Sequence, residues 1–355
     1  PVQCPDSPFR SLSTVTLTAL SSRIALGIFF GTIFLLRPSF ASEDDAFEFG
    51  GLMFGDVYTI PSHHTVEGDG ASGVVIRRGY LTANFRIGEN WSGRARIEIN
   101  QDGEFESYGF EAEFKDLYLA RNFGEHEVIF GLSPTLTFDL IESIWDARYL
   151  MRTPMDLQGV ASRDTGIAVR GPIGDGRFSY RVMGATGAEF GAEAGDGRKW
   201  MAALNWTSRA GIEVDLYTDF EKLAGPTDRA TAQVFVGQKT ESLRWGAQYS
   251  YQDREDDPRL ELASAFAVKS VTDKMSVIGR IDRILEPSPK GDNISYIPFD
   301  PSAPATMFLS GVEYRFNEKF RLTPNMIWTL YDRNDEGSRP NDDLHLRLTF
   351  FLDLE

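Results

Sequence analysis

Cysteines and long hydrophobic runs are almost missing from this chain of 355 residues. Its one cysteine is Cys4, so no disulfide can form within the chain. Its one run that resembles a membrane segment, Ile24–Leu36, has thirteen residues, whereas a membrane-spanning helix needs roughly 20. Charged residues make up 25% of the sequence. A bundle of membrane helices is therefore excluded, and any membrane role must use another architecture.

The apolar run lies in a basic N-terminal segment. Arg10 and Arg23 precede it, and Arg37-Pro-Ser-Phe-Ala41 follows it. A short apolar core between basic and small residues is typical of a secretory signal peptide. We predict a signal peptide over residues 1–41, cleaved after Ala41; the alternative is an uncleaved N-terminal anchor. Cleavage would remove Cys4 and leave 314 residues with 33 basic and 51 acidic side chains, a net charge near −18.

The remaining chain has the side-chain alternation of short β-strands. In residues 91–100 apolar and small side chains alternate with polar ones, and residues 344–354 repeat the pattern. A period of two with one apolar face is typical of a half-buried strand. The other face is charged, for example at Glu213, Asp215 and Asp219. A water-filled barrel tolerates such charges inside while its outer face meets lipid, which favours a membrane barrel over a soluble sheet.

Short turns alternate with long polar connections along the chain. Turns at residues 88–90 and 174–176 alternate with connections at 59–72 and 332–342. This asymmetry is typical of outer-membrane barrels, whose sheet must close because backbone groups in lipid need partners. We predict one all-β domain at 42–355, a transmembrane antiparallel β-barrel of about sixteen strands. The predicted strands start near Phe47, Val74, Trp91, Phe110, Glu125, Arg163, Phe178, Lys199, Ile212, Thr231, Leu243, Leu260, Met275, Thr306, Phe320 and Asp343.

Four stretches of the chain carry a family resemblance: Val128–Phe138 with Glu142, Trp145, Arg148, Pro154 and Arg163–Gly166; Arg77–Thr82; Lys115–Leu119; and Arg321–Tyr331. They resemble Gram-negative outer-membrane porins of the phosphate-selective porin O/P-like group. The resemblance implies a β-barrel pore for small hydrophilic solutes and ions, a homotrimer set in outer-membrane lipid and lipopolysaccharide. Porins usually end on an aromatic residue, whereas here Phe350-Phe351 is followed by Leu-Asp-Leu-Glu355.

The segment Phe138–Arg152 interrupts the strand pattern, because its apolar spacing is that of an amphipathic helix. On a helix its carboxylates Asp139, Glu142 and Asp146 fall within about 100° of one another. The segment follows the fifth predicted strand, where the third external loop of porins folds into the barrel. We therefore predict a short helix in an inward-folded third loop, with carboxylates facing the passage. The alternative is an acidic face that is merely solvated.

Basic side chains of the second and third strands have the parity of the barrel interior. Acidic and basic walls facing each other across a narrow opening would create a transverse field that orients dipolar solutes. The alternative is that the arginines pair with Glu98, Asp116 or Asp282 and stiffen the barrel. The residues predicted to line the constriction are Arg78, Arg86, Arg94, Arg96, Asp116, Asp139, Glu142 and Asp146.

The sequence contains no motif that favours an enzyme. It has no nucleophile elbow, phosphate loop or HExxH, and no two of its four histidines from separated segments are expected to converge with a serine. His63-His64 with Glu67 and Asp69 lack metal-ligand spacing and are typical of a solvated loop. We predict no catalysis, no cofactor, no metal and no nucleic-acid partner. The prediction is a general porin with weak cation preference; the alternatives are an anion- or phosphate-selective porin and a structural, non-conducting barrel.

Overall fold

The structure, a computed structural model, describes residues 46–101, 109–187, 197–222, 228–255, 258–288 and 290–354. The predicted signal peptide and its cleavage site at Ala41 lie outside the described residues, as does most of the connection at 188–197. Among the described residues, no helix is both long and apolar enough to span a membrane.

Within the described ranges, sixteen antiparallel strands form one closed barrel, which confirms the predicted fold. Each strand pairs with its neighbours in sequence, and the first pairs with the last to close the sheet. Every strand starts within two residues of its predicted position. The strands are β1 Ala46–Ser62, β2 Ser72–Ile87, β3 Trp91–Asn100, β4 Glu111–Phe123, β5 His126–Pro134, β6 Arg163–Ile173, β7 Phe178–Ala185, β8 Arg198–Thr207, β9 Ile212–Lys222, β10 Arg229–Lys239, β11 Leu243–Asp253, β12 Leu260–Thr272, β13 Met275–Ile284, β14 Ala305–Arg315, β15 Phe320–Tyr331 and β16 Asp343–Asp353.

The faces of the strands are arranged as the alternation predicts. On β16, Leu346 and Leu348 are each 40% exposed on the outer surface, whereas Arg347 between them is 7% exposed and Thr349 is buried. On β16, apolar side chains therefore cover the outside of the sheet and polar ones point inside. On β12 the inner face is largely apolar instead, with Leu262, Phe266 and Val268 in the buried core. A soluble sheet protein would bury its leucines and expose its arginine.

Two β-bulges break this alternation on the predicted basic wall. The pairing of β1 with β2 shifts between Phe54 and Asp56, and as a result Arg77 and Arg78 both point inward. The pairing of β3 with β4 shifts after Arg96, which turns Lys115 inward beside Asp116. A bulge inserts one extra residue, so strict parity fails across it.

The connection between β5 and β6 folds into the barrel, as predicted, but its helix is shorter than predicted. Helix α1 spans Asp139–Trp145 and a second helix, α2, spans Pro154–Leu157. The predicted helix ends early because Asp146 adopts a left-handed conformation with φ of 46°. Trp145 is buried against Phe266 of β12, with ring centroids 5.0 Å apart. The apolar side of α1 therefore holds the loop against the inner wall.

A second connection, between β13 and β14, also folds inward, which the sequence did not indicate. It contains a 3-10 helix at Gly291–Asn293 and buries Ile294, Ile297 and Phe299. Arg347 of β16 donates a hydrogen bond to the Tyr296 carbonyl oxygen at 2.5 Å. From its composition alone, the stretch 286–304 is one more long polar connection between strands. Both inward connections narrow the barrel.

Candidate functional site

Helix α1 and the facing strands enclose a cavity in the barrel, which we call the loop cavity. Glu142 and Asp146 lie on one side of it, and Arg96 of β3 and Arg321 of β15 lie on the strands around it. Five basic side chains and three carboxylates line it among the described residues. The full lining is Leu52, Phe54, Tyr80, Arg96, Lys115, Glu142, Asp146, Arg148, Tyr149, Arg163, Arg321, Phe351 and Asp353.

Arg148 links the two helices of the β5–β6 connection to each other and to strand β2. Its guanidinium lies 2.8 Å from the Glu142 carboxylate and 2.7 Å from Asp156 on α2, and it donates a hydrogen bond to the Tyr80 hydroxyl at 3.3 Å. Burial alone would raise the pKa of Asp156, but the positive charge of Arg148 outweighs burial and holds that pKa low. Asp156 therefore stays charged and keeps α2 tied to α1.

The other two carboxylates of α1 also pair with basic side chains. Asp139 lies 3.4 Å from Arg181 of β7, and Asp146 lies 3.3 Å from Lys239 of β10 and 3.1 Å from Arg244 of β11. Asp146 still has 48% of its side chain exposed. The acidic face of α1 is therefore not freely solvated. It pairs with basic groups of β7, β10 and β11, so β2 and β3 are not the only basic strands near it.

Arg78 and Asp116 belong to buried ion pairs behind the cavity. Arg78 pairs with Glu98, which is also 3.1 Å from Lys115. Asp116 lies 2.5 Å from Arg163 and 3.7 Å from Arg96. The geometry therefore favours the alternative stated above, in which the arginines pair with Glu98 and Asp116. This holds for Arg78 and, in part, for Arg96.

Arg86 and Arg94 lie elsewhere, in a cavity near the short-turn end of β2 and β3 that also includes Glu48 and Glu127. Arg94 donates a hydrogen bond from Nε to the Asn84 side-chain oxygen at 2.8 Å. The eight predicted constriction residues therefore do not form one ring. The loop cavity brings together only three of them, Arg96, Glu142 and Asp146.

Sequence reasoning did not select four basic residues of the loop cavity. Lys115 was missed because the bulge in β4 changes the direction of its side chain. Arg148 was missed because it follows the early end of α1. Arg163 and Arg321 were available: both lie in stretches that resemble porins, and Arg321 has the parity of buried Thr323 on β15. The same alternation, extended to β15, places Arg321 inside.

Three of the four histidines lie together in the barrel, and for His63 and His64 the predicted solvated loop is wrong. His63 and His64 stack with ring centroids 4.3 Å apart, and His345 of β16 lies edge-on to His63 at 5.7 Å. His63 and His64 do not form a solvated loop: their side chains are buried in the barrel end, whereas Glu67 and Asp69 are exposed. His126, on the short-turn side, contacts Tyr180 instead.

The barrel is similar to solved outer-membrane proteins. An anion-selective porin from Comamonas acidovorans aligns with a TM-score of 0.61 at 11% identity, covering 87% of this chain and 100% of that one. The outer membrane channel DcaP of Acinetobacter baumannii aligns with a TM-score of 0.60 at 12% identity, covering 89% and 99%. The trimer form of OmpT, an outer membrane protein of Vibrio cholerae folded in vitro, aligns with a TM-score of 0.56 at 11% identity, covering 87% and 100%.

At these identities the likeness establishes the fold, and its neighbours are outer-membrane porins and channels. No protein-family model matches the sequence, and no curated protein matches it significantly. The narrower resemblance to the phosphate-selective porin O/P-like group stays a prediction.

Proposed function

We propose that this protein is an outer-membrane porin, a water-filled channel for passive diffusion of small hydrophilic solutes and ions. The observation that carries the proposal is a closed sixteen-strand barrel, in the described residues, whose outside is apolar and whose inside is charged. A barrel of this size encloses an aqueous passage, and an apolar exterior matches lipid. Within the passage, the loop cavity is the constriction, and its charges act on passing solutes.

The proposal includes a location and partners. Residues 1–41 would direct export and be removed, leaving residues 42–355 in the outer membrane with lipid and lipopolysaccharide around them. We also propose a homotrimer, which the trimer form of the similar Vibrio cholerae protein supports. Chemical crosslinking of the purified protein in detergent would show a trimer band, and a monomer alone would contradict this part.

A conductance measurement tests the channel itself. Purified, folded protein added to a planar lipid bilayer is expected to give stepwise current increases of uniform size, because each inserted barrel adds one aqueous path. Protein unfolded by boiling in detergent serves as the control and should give none. A barrel that resists denaturation yet stays electrically silent would contradict the channel and favour a structural role.

A second candidate is an anion-preferring channel. The net charge near −18 of the mature chain underlies the predicted weak cation preference, but five basic side chains and three carboxylates line the loop cavity itself. Glu98, Asp116 and Asp156 pair with some of these basic groups from positions outside the lining. Charges at a narrow opening act on a passing ion more strongly than distant ones, because salt screens beyond roughly 8–10 Å. The reversal potential in a salt gradient separates the candidates by its sign.

Neutralising the predicted basic wall is expected to move the reversal potential toward cations. In the double variant Arg94→Gln and Arg96→Gln, two positive charges leave the interior while the polar side chains keep much of their size. The matched control is Arg177→Gln, because Arg177 lies in an exposed turn beside Asp175. An unchanged reversal potential in the double variant would show that these two arginines do not act on the passing ions.

A further inference from the structure

A cluster of imidazoles and carboxylates lies where β1 ends and β16 begins. His63 and His64 directly follow β1, and Asp343 is the first residue of β16. One ligand atom from each of these three residues lies within 4.8 Å of the other two. His63 and Asp343 are buried, and the His64 side chain is 3% exposed. The cluster is thus a closed polar group joining segments 279 residues apart in sequence.

The buried carboxylate of Asp343 differs from other buried carboxylates of this barrel in having no arginine or lysine partner among the described residues. Other buried carboxylates, such as Asp56 and Asp282, contact arginines. In the part of the chain that the structure describes, no Lys or Arg lies within 4.0 Å of the Asp343 carboxylate. Its partners are the ring and backbone N–H of His64 and the Tyr331 hydroxyl, at 2.9, 2.6 and 2.5 Å. A buried carboxylate is costly unless paired, so a cation here would be stabilised.

Both histidines are held by a second partner, as metal-ligating histidines usually are. Nε2 of His64 lies 2.9 Å from Asp292 Oδ1, a carboxylate partner of the usual kind. Nδ1 of His63 accepts a hydrogen bond from the Thr65 backbone N–H at 3.0 Å and lies 2.9 Å from the Thr65 hydroxyl, so Nε2 is the nitrogen of His63 that would bind the metal. Both ring nitrogens of His64 face carboxylate oxygens, so a metal ion at this site must take the place of a proton on Nδ1.

We propose that His63, His64 and Asp343 bind one divalent transition-metal ion, of which Zn²⁺ fits best, at the seam of the barrel. Two imidazoles and a carboxylate suit Zn²⁺, whereas Mg²⁺ and Ca²⁺ prefer oxygen ligands alone. Ligand atoms around tetrahedral zinc lie about 3.3 Å apart, so binding draws the three groups closer together. The ion ties the end of β1 to the start of β16 and stabilises closure. The site is independent of the channel proposal.

Metal analysis of the folded protein tests the site. Purified protein in detergent, stripped with a chelator, is dialysed against micromolar ZnCl2 and analysed by mass spectrometry for metal. The expected result is one zinc per chain and a higher unfolding temperature, with no uptake when MgCl2 replaces ZnCl2. The double variant His63→Ala and His64→Ala is expected to lose both the zinc and the stabilisation. The variant His126→Ala, which changes the histidine outside the cluster, keeps both.

Each other result overturns the site. A zinc content in the double variant equal to that of the unaltered protein would show that the metal binds elsewhere. No zinc in the unaltered protein would show that the cluster is a hydrogen-bonded group in which protonated His64 bridges Asp343 and Asp292. If the double variant does not fold, His64→Gln replaces it, because the amide keeps a hydrogen-bonding group; a folded His64→Gln barrel that still binds one zinc contradicts the proposal.

Discussion

Replacing Asp56 with alanine is expected to lower the free energy of unfolding by about 3–5 kcal/mol, because it leaves buried guanidinium groups without their counter-charge. Asp56 on β1 lies 2.7 Å from Arg77 of β2 and 3.4 Å from Arg347 of β16, and it accepts a hydrogen bond from Thr349 at 2.6 Å. All four side chains are buried. The carboxylate therefore bridges two cations from the two strands that flank β1, where the barrel closes, and is their shared counter-charge.

Urea unfolding of the detergent-folded protein, followed by tryptophan fluorescence and by migration of the unheated protein on a gel, measures this effect. The matched control is Asp175→Ala, which removes a carboxylate 2.7 Å from Arg177 in an exposed turn, where salt screens the pair. The control should unfold at nearly the same urea concentration as the unaltered protein. Equal midpoints for the Asp56 and Asp175 variants would show that the seam network does not stabilise the barrel.

The strands could be placed from sequence because a barrel between lipid and water imposes one simple rule. Each strand must alternate, and each end must turn, so apolar parity and turn residues together fix all sixteen strand starts to within two residues. The same rule placed Leu346 and Leu348 outside and Arg347 inside. Little long-range information was needed, because every pairing except that of β1 with β16 joins strands that are neighbours in sequence.

The site was harder to predict because its residues break that rule. Arg77 and Lys115 point inward only because bulges insert an extra residue into β2 and β4, and no residue type marks a bulge there. Asp146 ends α1 through a left-handed backbone conformation that an amphipathic pattern does not reveal. The inward fold of residues 285–304 depends on distant partners, such as the Ser288 hydroxyl that donates to the Gln158 side chain at 2.5 Å.

The histidine cluster, by contrast, was within reach of the sequence. A closed barrel must pair its first and last strands, and here Ser62 pairs with Leu344. The residues that follow Ser62 must then lie beside the start of β16, which carries Asp343 and His345. The number of histidines alone does not reveal the cluster. It follows only when the pairing of the first and last strands is used to place side chains as well as backbone hydrogen bonds.

Removing the inward loop between β5 and β6 is expected to increase single-channel conductance severalfold, provided that the barrel conducts as proposed. A Gly-Ser linker in place of residues 139–157 deletes α1 and α2 and empties one side of the loop cavity. The deletion removes four carboxylates and two arginines, and Arg181, Lys239 and Arg244 lose Asp139 and Asp146 as partners. The passage then becomes wider and more positive, so the reversal potential should also shift toward anions.

Planar-bilayer recording of the variant in a salt gradient gives both quantities in one experiment. The matched control is deletion of residues 334–338, the exposed tip of the connection between β15 and β16, which should leave conductance unchanged. Gel migration before and after heating shows whether each variant has folded. A folded loop-deletion barrel with unchanged conductance would mean that the narrowest point lies elsewhere, with the β13–β14 connection as the remaining inward segment. A larger conductance without a change of reversal potential would mean that α1 restricts the passage by its volume alone. Its carboxylates would then not select ions, because each is already paired with a basic neighbour.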